Sequence, residues 1–231
     1  MTSARIPDIR RDVVRIAPDI VQRMSVFAAS IVADVAGRRG TLDGRVAPLA
    51  PSMRVAGPAL TVEVRAGDNL MIHAALALAQ PGDVLVVDGK ADRSCALMGA
   101  IMMSTCRELG LAGVVLDGAV RDSDELRALG FPVFAIGANP NGPTKFVPGR
   151  INHPISCGGV AVQPGDLVIG DADGVVVVER EKAASLVELA ERKVADEKLR
   201  FDDIRSGRDL RPKWLDGALR AAGALGGDET L

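Results

Sequence analysis

Aromatic side chains are scarce in this chain: five phenylalanines, one tryptophan and no tyrosine in 231 residues. Surfaces that stack nucleic-acid bases are built on aromatic rings, so an RNA-reading sheet or a single-strand groove has little to work with. The charge balance points the same way. With 28 Lys and Arg against 30 Asp and Glu the net charge is -2, whereas a dedicated nucleic-acid binder is usually basic. No apolar run approaches the length of a membrane span. Met1 to Arg15 mixes Arg and Asp without an apolar stretch, so secretion is not expected. The three cysteines, Cys95, Cys106 and Cys157, are odd in number and form no Cys-x-x-Cys pair. They read as small, reduced, buried residues, and the expected compartment is the cytoplasm. The only two histidines are His73 and His153, which excludes a zinc site built on several imidazoles. If a metal is bound, carboxylate-held Mg²⁺ or Mn²⁺ is the expectation.

What is present is apolar: 48% hydrophobic residues, enough for one sizeable core or two small ones. Asp19 to Gly37 reads as a first helix with Asp19 as N-cap. Val55 to Val64 reads as a strand interrupted by Gly57-Pro58. From Gly67 to Ile136 helices and strands alternate: helix Leu70 to Ala79, strand Asp83 to Val87, helix Leu97 to Leu109. Strand Gly113 to Leu116, a short helix Asp124 to Leu129 and strand Val133 to Ile136 follow. That alternation is the pattern of an α/β fold with parallel strands. After Pro140 the spacing shortens into strands over Arg150 to Ile155, Gly159 to Val162, Leu167 to Ile169 and Val175 to Val178. Pro81-Gly82-Asp83 and Pro164-Gly165-Asp166 read as the same turn feeding two strands. Arg180 to Arg205 is one long charged helix with a narrow apolar stripe of Leu186, Leu189, Val194 and Leu199. It either packs on a neighbouring subunit or folds back on its own domain. Leu210 to Leu231 is expected to fray. The whole of 1–231 reads as one domain, with 180–231 a helical extension.

The most informative stretch is Gly113 to Glu125, a short apolar strand that turns through Gly118 and presents Arg121, Asp122 and Glu125 where a helix begins. Arginine offers a planar fork that matches a carboxylate, and aspartate offers hard oxygen to Mg²⁺ or Mn²⁺. The structural alternative is that Arg121 and Asp122 cap a helix and pair with each other. Asn69 and His73 could stand at the mouth of a pocket; alternatively Asp68 or Asn69 caps a helix and His73 packs against the core. Lys145 and Arg150 could meet a second carboxylate, although solvated surface is the expectation for both. Other chemistries fail on inspection. No Gly-x-Gly-x-x-Gly follows a strand. Gly137 to Thr144 starts like a phosphate loop but has Pro143 where the lysine belongs. No Gly-x-Ser-x-Gly elbow supports a hydrolase.

Taken together, Gly67-Asp68-Asn69 with His73, Gly99 ahead of Arg121-Asp122, Gly130-Phe131-Pro132-Val133, and Gly165-Asp166 through Asp171-Ala172-Asp173-Gly174-Val175 resemble the RraA-like family. The resemblance covers roughly residues 19 to 219. It is closest to the branch of 4-hydroxy-4-methyl-2-oxoglutarate / 4-carboxy-4-hydroxy-2-oxoadipate aldolases, divalent-metal lyases that release pyruvate. It implies an α/β/β sandwich with a small barrel-like core. It also implies that Arg121 binds the pyruvate carboxylate and that Asp122 is the direct ligand of Mg²⁺ or Mn²⁺. Backbone N–H groups of Ile101 and Met102 after Gly99 would hold the same unit, in keeping with the affinity of helix N-termini for anions. Glu197, on the C-terminal helix of an adjacent subunit, would reach the metal through water, so the active form would be a homotrimer or hexamer with intersubunit sites. The substrate class implied is a 4-hydroxy-2-oxo diacid, with oxaloacetate decarboxylation through the same pyruvate enolate. The family also contains non-catalytic regulators that bind an RNA-degrading endonuclease, and a related lyase on another hydroxy acid is a third possibility. One position departs from the aldolases: they carry aspartate directly after the glycine matching Gly99, and here it is Ala100. That puts proton transfer in question, with Asp117 or Asp124 as candidate replacements.

Overall fold

The computed structural model describes residues 9–208 and 210–231; residues 1–8 of the Met1 to Arg15 stretch lie outside them. In chain order the elements are α1 (Pro18–Met24), α2 (Ala29–Val35), β1 (Ala47–Pro48), β2 (Val55–Glu63), α3 (Leu70–Leu76), β3 (Val84–Met98) and α4 (Ala100–Glu108). They continue with β4 (Gly113–Val120), α5 (Ser123–Leu129), β5 (Val133–Ala138), β6 (Arg150–Ile151), β7 (Ile155–Cys157), β8 (Val160–Val162), β9 (Leu167–Asp171), β10 (Gly174–Val178), α6 (Arg180–Arg205) and α7 (Leu215–Ala221). The chain divides into two units, one reaching to Ala190 and one running from Glu191 to Leu231.

The first unit is built on a mixed sheet ordered β1-β5-β4-β3-β2-β9-β10, with β6 also paired to β2. The neighbours β2-β3, β3-β4 and β4-β5 are parallel, as the βα alternation predicts. Period-two alternation assigns the faces. Leu60, Val62, Leu85, Val87, Val114, Leu116, Val133 and Ala135 face one way, onto a cluster that includes Met71, Ile72, Met103, Cys106 and Leu126 from α3, α4 and α5. Ala59, Val84, Val86, Val115, Phe134 and Ile136 face the other way, onto Ile155, Cys157, Val162, Val168, Val175 and Val177 from the later strands. Helices, sheet and a second β layer therefore stack as α/β/β. A third cluster joins Met24 and Val32 of the first two helices to Ala183 and Val187 of α6.

Several boundaries differ from the sequence reading. The expected first helix is two, because the chain turns after Met24 and the Ser25 hydroxyl bonds back to the Gln22 carbonyl at 2.9 Å. Its N-cap is Ala17, with Pro18 at the first helical position, and not Asp19. The second helix is capped from a distance: Asp171 Oδ2 accepts the Ala29 N–H at 2.9 Å. Gly57-Pro58 does not interrupt β2. The strand pairs β9 over Val55–Pro58 and β3 from Ala59 onward, so the missing proline N–H falls where it changes partner. Gly57 is there for space, since a Cβ would lie 2.2 Å from the Gly82 carbonyl oxygen. β3 runs on to Met98 through register shifts instead of ending at Val87, so α4 starts at Ala100 and not near Leu97.

The two Gln-Pro-Gly-Asp turns do match. Asp83 Oδ2 accepts the Gln80 N–H at 2.8 Å, and Asp166 Oδ2 accepts the Gln163 N–H at 2.9 Å. All three cysteines are buried and free, and burial pushes the Cys106 thiol up to about 12. Helix α6 has the bounds the sequence suggests, but its buried face is Ala183, Val187 and Ala190, while Leu189, Val194 and Leu199 are exposed. Within the second unit no described residue is buried. Its tail is not frayed throughout: it forms α7, with Arg211 paired to Asp216 and the Arg220 guanidinium donating to the Glu229 carbonyl at 2.9 Å. Among the described residues no helix is long and apolar enough to cross a membrane.

Candidate active site

The parallel strands β3 and β4 end side by side, with Ala96 opposite Ala119 and Met98 opposite Val120. Ligands of open α/β sheets collect outside such carboxyl ends. Here the chain leaves β3 through Gly99 into α4 and leaves β4 through Arg121 and Asp122 into α5. The Arg121 N–H donates to the Met98 carbonyl at 3.0 Å, which locks the two exits together. Asp122 sits in the left-handed region (φ 59, ψ 45) and turns its carboxylate away from its own helix. Its Oδ2 accepts the Ala100 N–H at 2.9 Å and lies 3.7 Å from Arg121 Nε. The capping alternative is thus met in an unexpected form: Asp122 caps α4, the neighbouring helix. Gly99 is a steric requirement, since a Cβ there would lie 2.5 Å from Asp122 Oδ2 and 2.8 Å from Arg121 Cγ.

A cleft of about 200 Å³ opens at this point. Arg121, Asp122, Gly99, Ile101, Met102, Asn69 and His73 all line it, together with the Ala96–Met98 strand end, Pro143 and Lys145. Helix geometry leaves the N–H groups of the first turn without intrahelical acceptors. Ala100 gives its own to Asp122; Ile101 and Met102 are the next two in that turn. Asn69 is 3% exposed. Its Nδ2 donates to the Leu97 carbonyl at 2.8 Å and approaches Met102 Sδ at 3.4 Å, which fixes the orientation of the amide. Its Oδ1 is buried without a partner. His73, one turn into α3, is exposed and is not packed against the core.

Other candidates fall outside the cleft. Arg150 pairs with Glu63 in a separate pocket. Ala100 packs beside the core cluster and does not line the cleft. Asp117 is buried in β4 with Oδ2 on the Gly158 N–H at 2.9 Å, and Asp124 pairs with Arg127 at 2.9 Å. Neither lines the cleft. Glu197 belongs to the second unit, where it faces Lys193 at 3.3 Å across one helical turn.

Sequence reading missed the work of Asp68, which it treated as a possible helix cap. Asp68 is 1% exposed, and its Oδ2 accepts from Thr144 Oγ1 (2.6 Å), Phe146 N (2.7 Å) and Val147 N (3.2 Å). Its Oδ1 takes the Leu70 N–H at 3.0 Å. Burial alone would raise this carboxyl, but the Phe146, Thr144, Leu70 and Val147 bonds together pull it down to about 2. The signal available in the sequence was Gly67-Asp68-Asn69 itself; its partners lie too far along the chain to be read from it.

Among the described residues no three His, Cys, Asp or Glu side chains converge as a metal site. The cleft supplies one carboxylate, Asp122. That donor set does not suit a closed zinc site. It does fit Mg²⁺ or Mn²⁺, hard ions that keep several waters and take one or two carboxylates plus substrate oxygen.

A basic fork and a hard carboxylate stand side by side at the carboxyl end of the parallel strands of an α/β/β protein. The comparisons give the particular family. The family model described as "RraA-like: Aldolase/RraA" matches residues 17–177, and the chain belongs to that family. A protein of Halalkalibacterium halodurans named "Putative 4-hydroxy-4-methyl-2-oxoglutarate aldolase" is 39% identical over 182 residues, 79% of this chain and 87% of its own length. Among solved structures, RraAS2 of Streptomyces coelicolor, described as an unusual member of the RNase ES inhibitor RraA protein family, superposes with a TM-score of 0.75 at 28% identity. That match covers 82% of this chain and 99% of that one. The RNA-processing inhibitor RraA of Thermus thermophilis gives a TM-score of 0.60 at 31% identity, over 65% of this chain and 91% of that one.

Proposed function

We propose that this chain is a divalent-metal-dependent carbon–carbon lyase that cleaves 4-hydroxy-2-oxo diacids to pyruvate by a retro-aldol reaction, and that it also decarboxylates oxaloacetate. The observation that carries this reading is the pairing of Arg121 and Asp122 at one end of the cleft, held in place by Gly99 and the Ala100 N–H. The aldolase names of relatives such as the Halalkalibacterium halodurans protein support it. When bound, Mg²⁺ or Mn²⁺ would be held by Asp122, with Glu197 of a neighbouring subunit reaching it through water, and would supply Lewis-acid stabilisation of the charge that develops on the keto oxygen. Arg121 binds the substrate carboxylate through its planar fork. The first-turn amides of Ile101 and Met102 hold the same end against the helix N-terminus. Asn69 and His73 meet the distal part of the substrate at the mouth. The second unit fits an oligomer: Val194, Leu199, Phe201, Ile204 and Trp214 are all exposed, an apolar surface suited to burial on a neighbouring subunit in a homotrimer or hexamer.

A regulator of an RNA-degrading endonuclease is the second reading. It is favoured by Ala100 and by the RNA-processing names of the solved relatives. Pyruvate release over a panel of 4-hydroxy-2-oxo diacids and oxaloacetate separates the two. Turnover with Mg²⁺ or Mn²⁺ that stops in EDTA supports the lyase. No turnover on any member of the panel with either metal removes it.

A further inference from the structure

Two cations line the cleft, Arg121 and Lys145, and they are held in different ways. Arg121 leaves a strand end and lies beside Asp122. Lys145 belongs to the irregular segment Asn141 to Gly149, much of it exposed, where a lysine would ordinarily be solvated and mobile. Both residues flanking Lys145 are nonetheless pinned. Thr144 exchanges backbone hydrogen bonds with the start of α3: its N–H donates to the Gly67 carbonyl at 2.8 Å, and its carbonyl accepts from Asn69 N at 3.0 Å. The Thr144 hydroxyl and the Phe146 and Val147 amides all converge on Asp68 Oδ2. The other oxygen of Asp68 holds the Leu70 amide, so one buried carboxylate ties the Lys145 segment to the element that carries Asn69 and His73. Lys145 itself takes no ion pair or hydrogen bond among the described residues, whereas Lys90, the lysine of the neighbouring pocket, is closed by Glu63 and Asp88 at 2.7 Å each. Lys145 is thus an exposed lysine whose two neighbours are pinned, lining a cleft without a counter-charge of its own.

We propose that Lys145 receives the second carboxylate of the substrate, that it selects dicarboxylic over monocarboxylic 2-oxo acids, and that Asp68 is the positioning residue that sets it there. The inference rests on the lyase reading. Arg121 takes the carboxylate beside the keto group, and Lys145 takes the far one as a compact point charge. Asp68 touches no substrate; its carboxylate is spent on four internal donors.

The test compares kcat/KM for a 4-hydroxy-2-oxo diacid and its monocarboxylic counterpart in wild type, Lys145→Gln, Lys145→Arg, Asp68→Asn and Thr144→Val. Exchange of the methyl protons of pyruvate, which has no second carboxylate, is measured beside it. Lys145→Gln is expected to lower the diacid-to-monoacid ratio by about tenfold or more, the scale of a lost charge-assisted hydrogen bond, and to act mainly through KM. Lys145→Arg should restore most of the ratio. Asp68→Asn and Thr144→Val should move the ratio in the same direction by a smaller factor, again through KM, which a general loss of structure would not do. Thr144→Val keeps this arm decisive should Asp68→Asn fail to fold. Wild-type proton exchange with an unchanged ratio in Lys145→Gln overturns this inference alone. A wild type that neither exchanges pyruvate protons nor cleaves either acid overturns the lyase reading, and this one with it.

Discussion

Asp68 and Asp122 stand in similar places, each at the start of a helix and each beside the same cleft, but their oxygens are used differently. Asp68 is 1% exposed and accepts four hydrogen bonds from Leu70, Thr144, Phe146 and Val147. The Asp122 side chain is 37% exposed and accepts one, from the Ala100 amide. A carboxylate saturated by internal donors orders the chain around it. One anchored through a single oxygen keeps coordination capacity for a ligand while its direction is fixed. Composition cannot distinguish the two; the count of donors and the exposure can.

The largest effect expected from this contrast is on chemistry at Asp122. Asp122→Ala should lower pyruvate formation by at least about 10²–10³-fold, the scale of losing a group that meets developing charge. Stability should change little, within about 1 kcal/mol, because the side chain is partly exposed and contributes one cap-like bond. Steady-state rates with saturating Mg²⁺ and a urea melt measure both quantities. Activity near wild type in Asp122→Ala would remove the assigned role.

Ala100 comes next. Retro-aldol cleavage must take a hydroxyl proton, whereas carbon dioxide leaves oxaloacetate without one, so wild type should decarboxylate better than it cleaves. Ala100→Asp should raise aldol turnover relative to decarboxylation by at least tenfold, within the roughly 10²–10⁴ that a positioned base contributes. With Asp117 bound to Gly158 and Asp124 paired to Arg127, no other carboxylate lines the cleft except Asp122. An unchanged ratio would place the base outside the residues that line it.

Arg121→Lys keeps the charge and loses the fork. Catalytic efficiency should fall about tenfold, or roughly 1.4 kcal/mol, because the charge-assisted pair becomes a single point contact. Equal kinetics for both proteins would show that the first-turn amides of α4 hold the carboxylate unaided.

How legible the molecule was depends on the distance between partners along the chain. Strands β2 to β5 could be read because their alternation is local, and the Gln80–Asp83 turn could be matched to Gln163–Asp166 because each closes on itself. The Arg121-Asp122 pair was legible as adjacent residues past a strand. The break after Met24 was not, since the cap on α2 comes from Asp171, 142 residues away. The continuation of β3 past Gly89 was hidden because its register with β4 shifts there, and a Gly-Lys-Ala-Asp-Arg-Ser run reads locally as loop. The hold on the segment around Lys145 was hidden for the same reason: its carboxylate is Asp68, 76 residues before Thr144.

The smallest effect expected concerns Asp68 and acid. Its folded-state carboxyl lies near 2, below the ordinary value of 3.8, so folding favours the ionised form. The stabilisation is complete above the unfolded value near 4 and is lost as pH falls through the folded value toward 2. The amount is about 1–2 kcal/mol, less than the full linkage value, because the group lies just beneath the surface and water screens it. Asp68→Asn has no such titration. Its melting temperature should be lower than wild type at pH 6, and the gap should narrow as both are taken from pH 5 to pH 2.5. Parallel curves for wild type and Asp68→Asn would mean that the Thr144–Val147 segment is held by its backbone bonds to Gly67 and Asn69, and that the two aspartates differ less than their hydrogen bonds suggest.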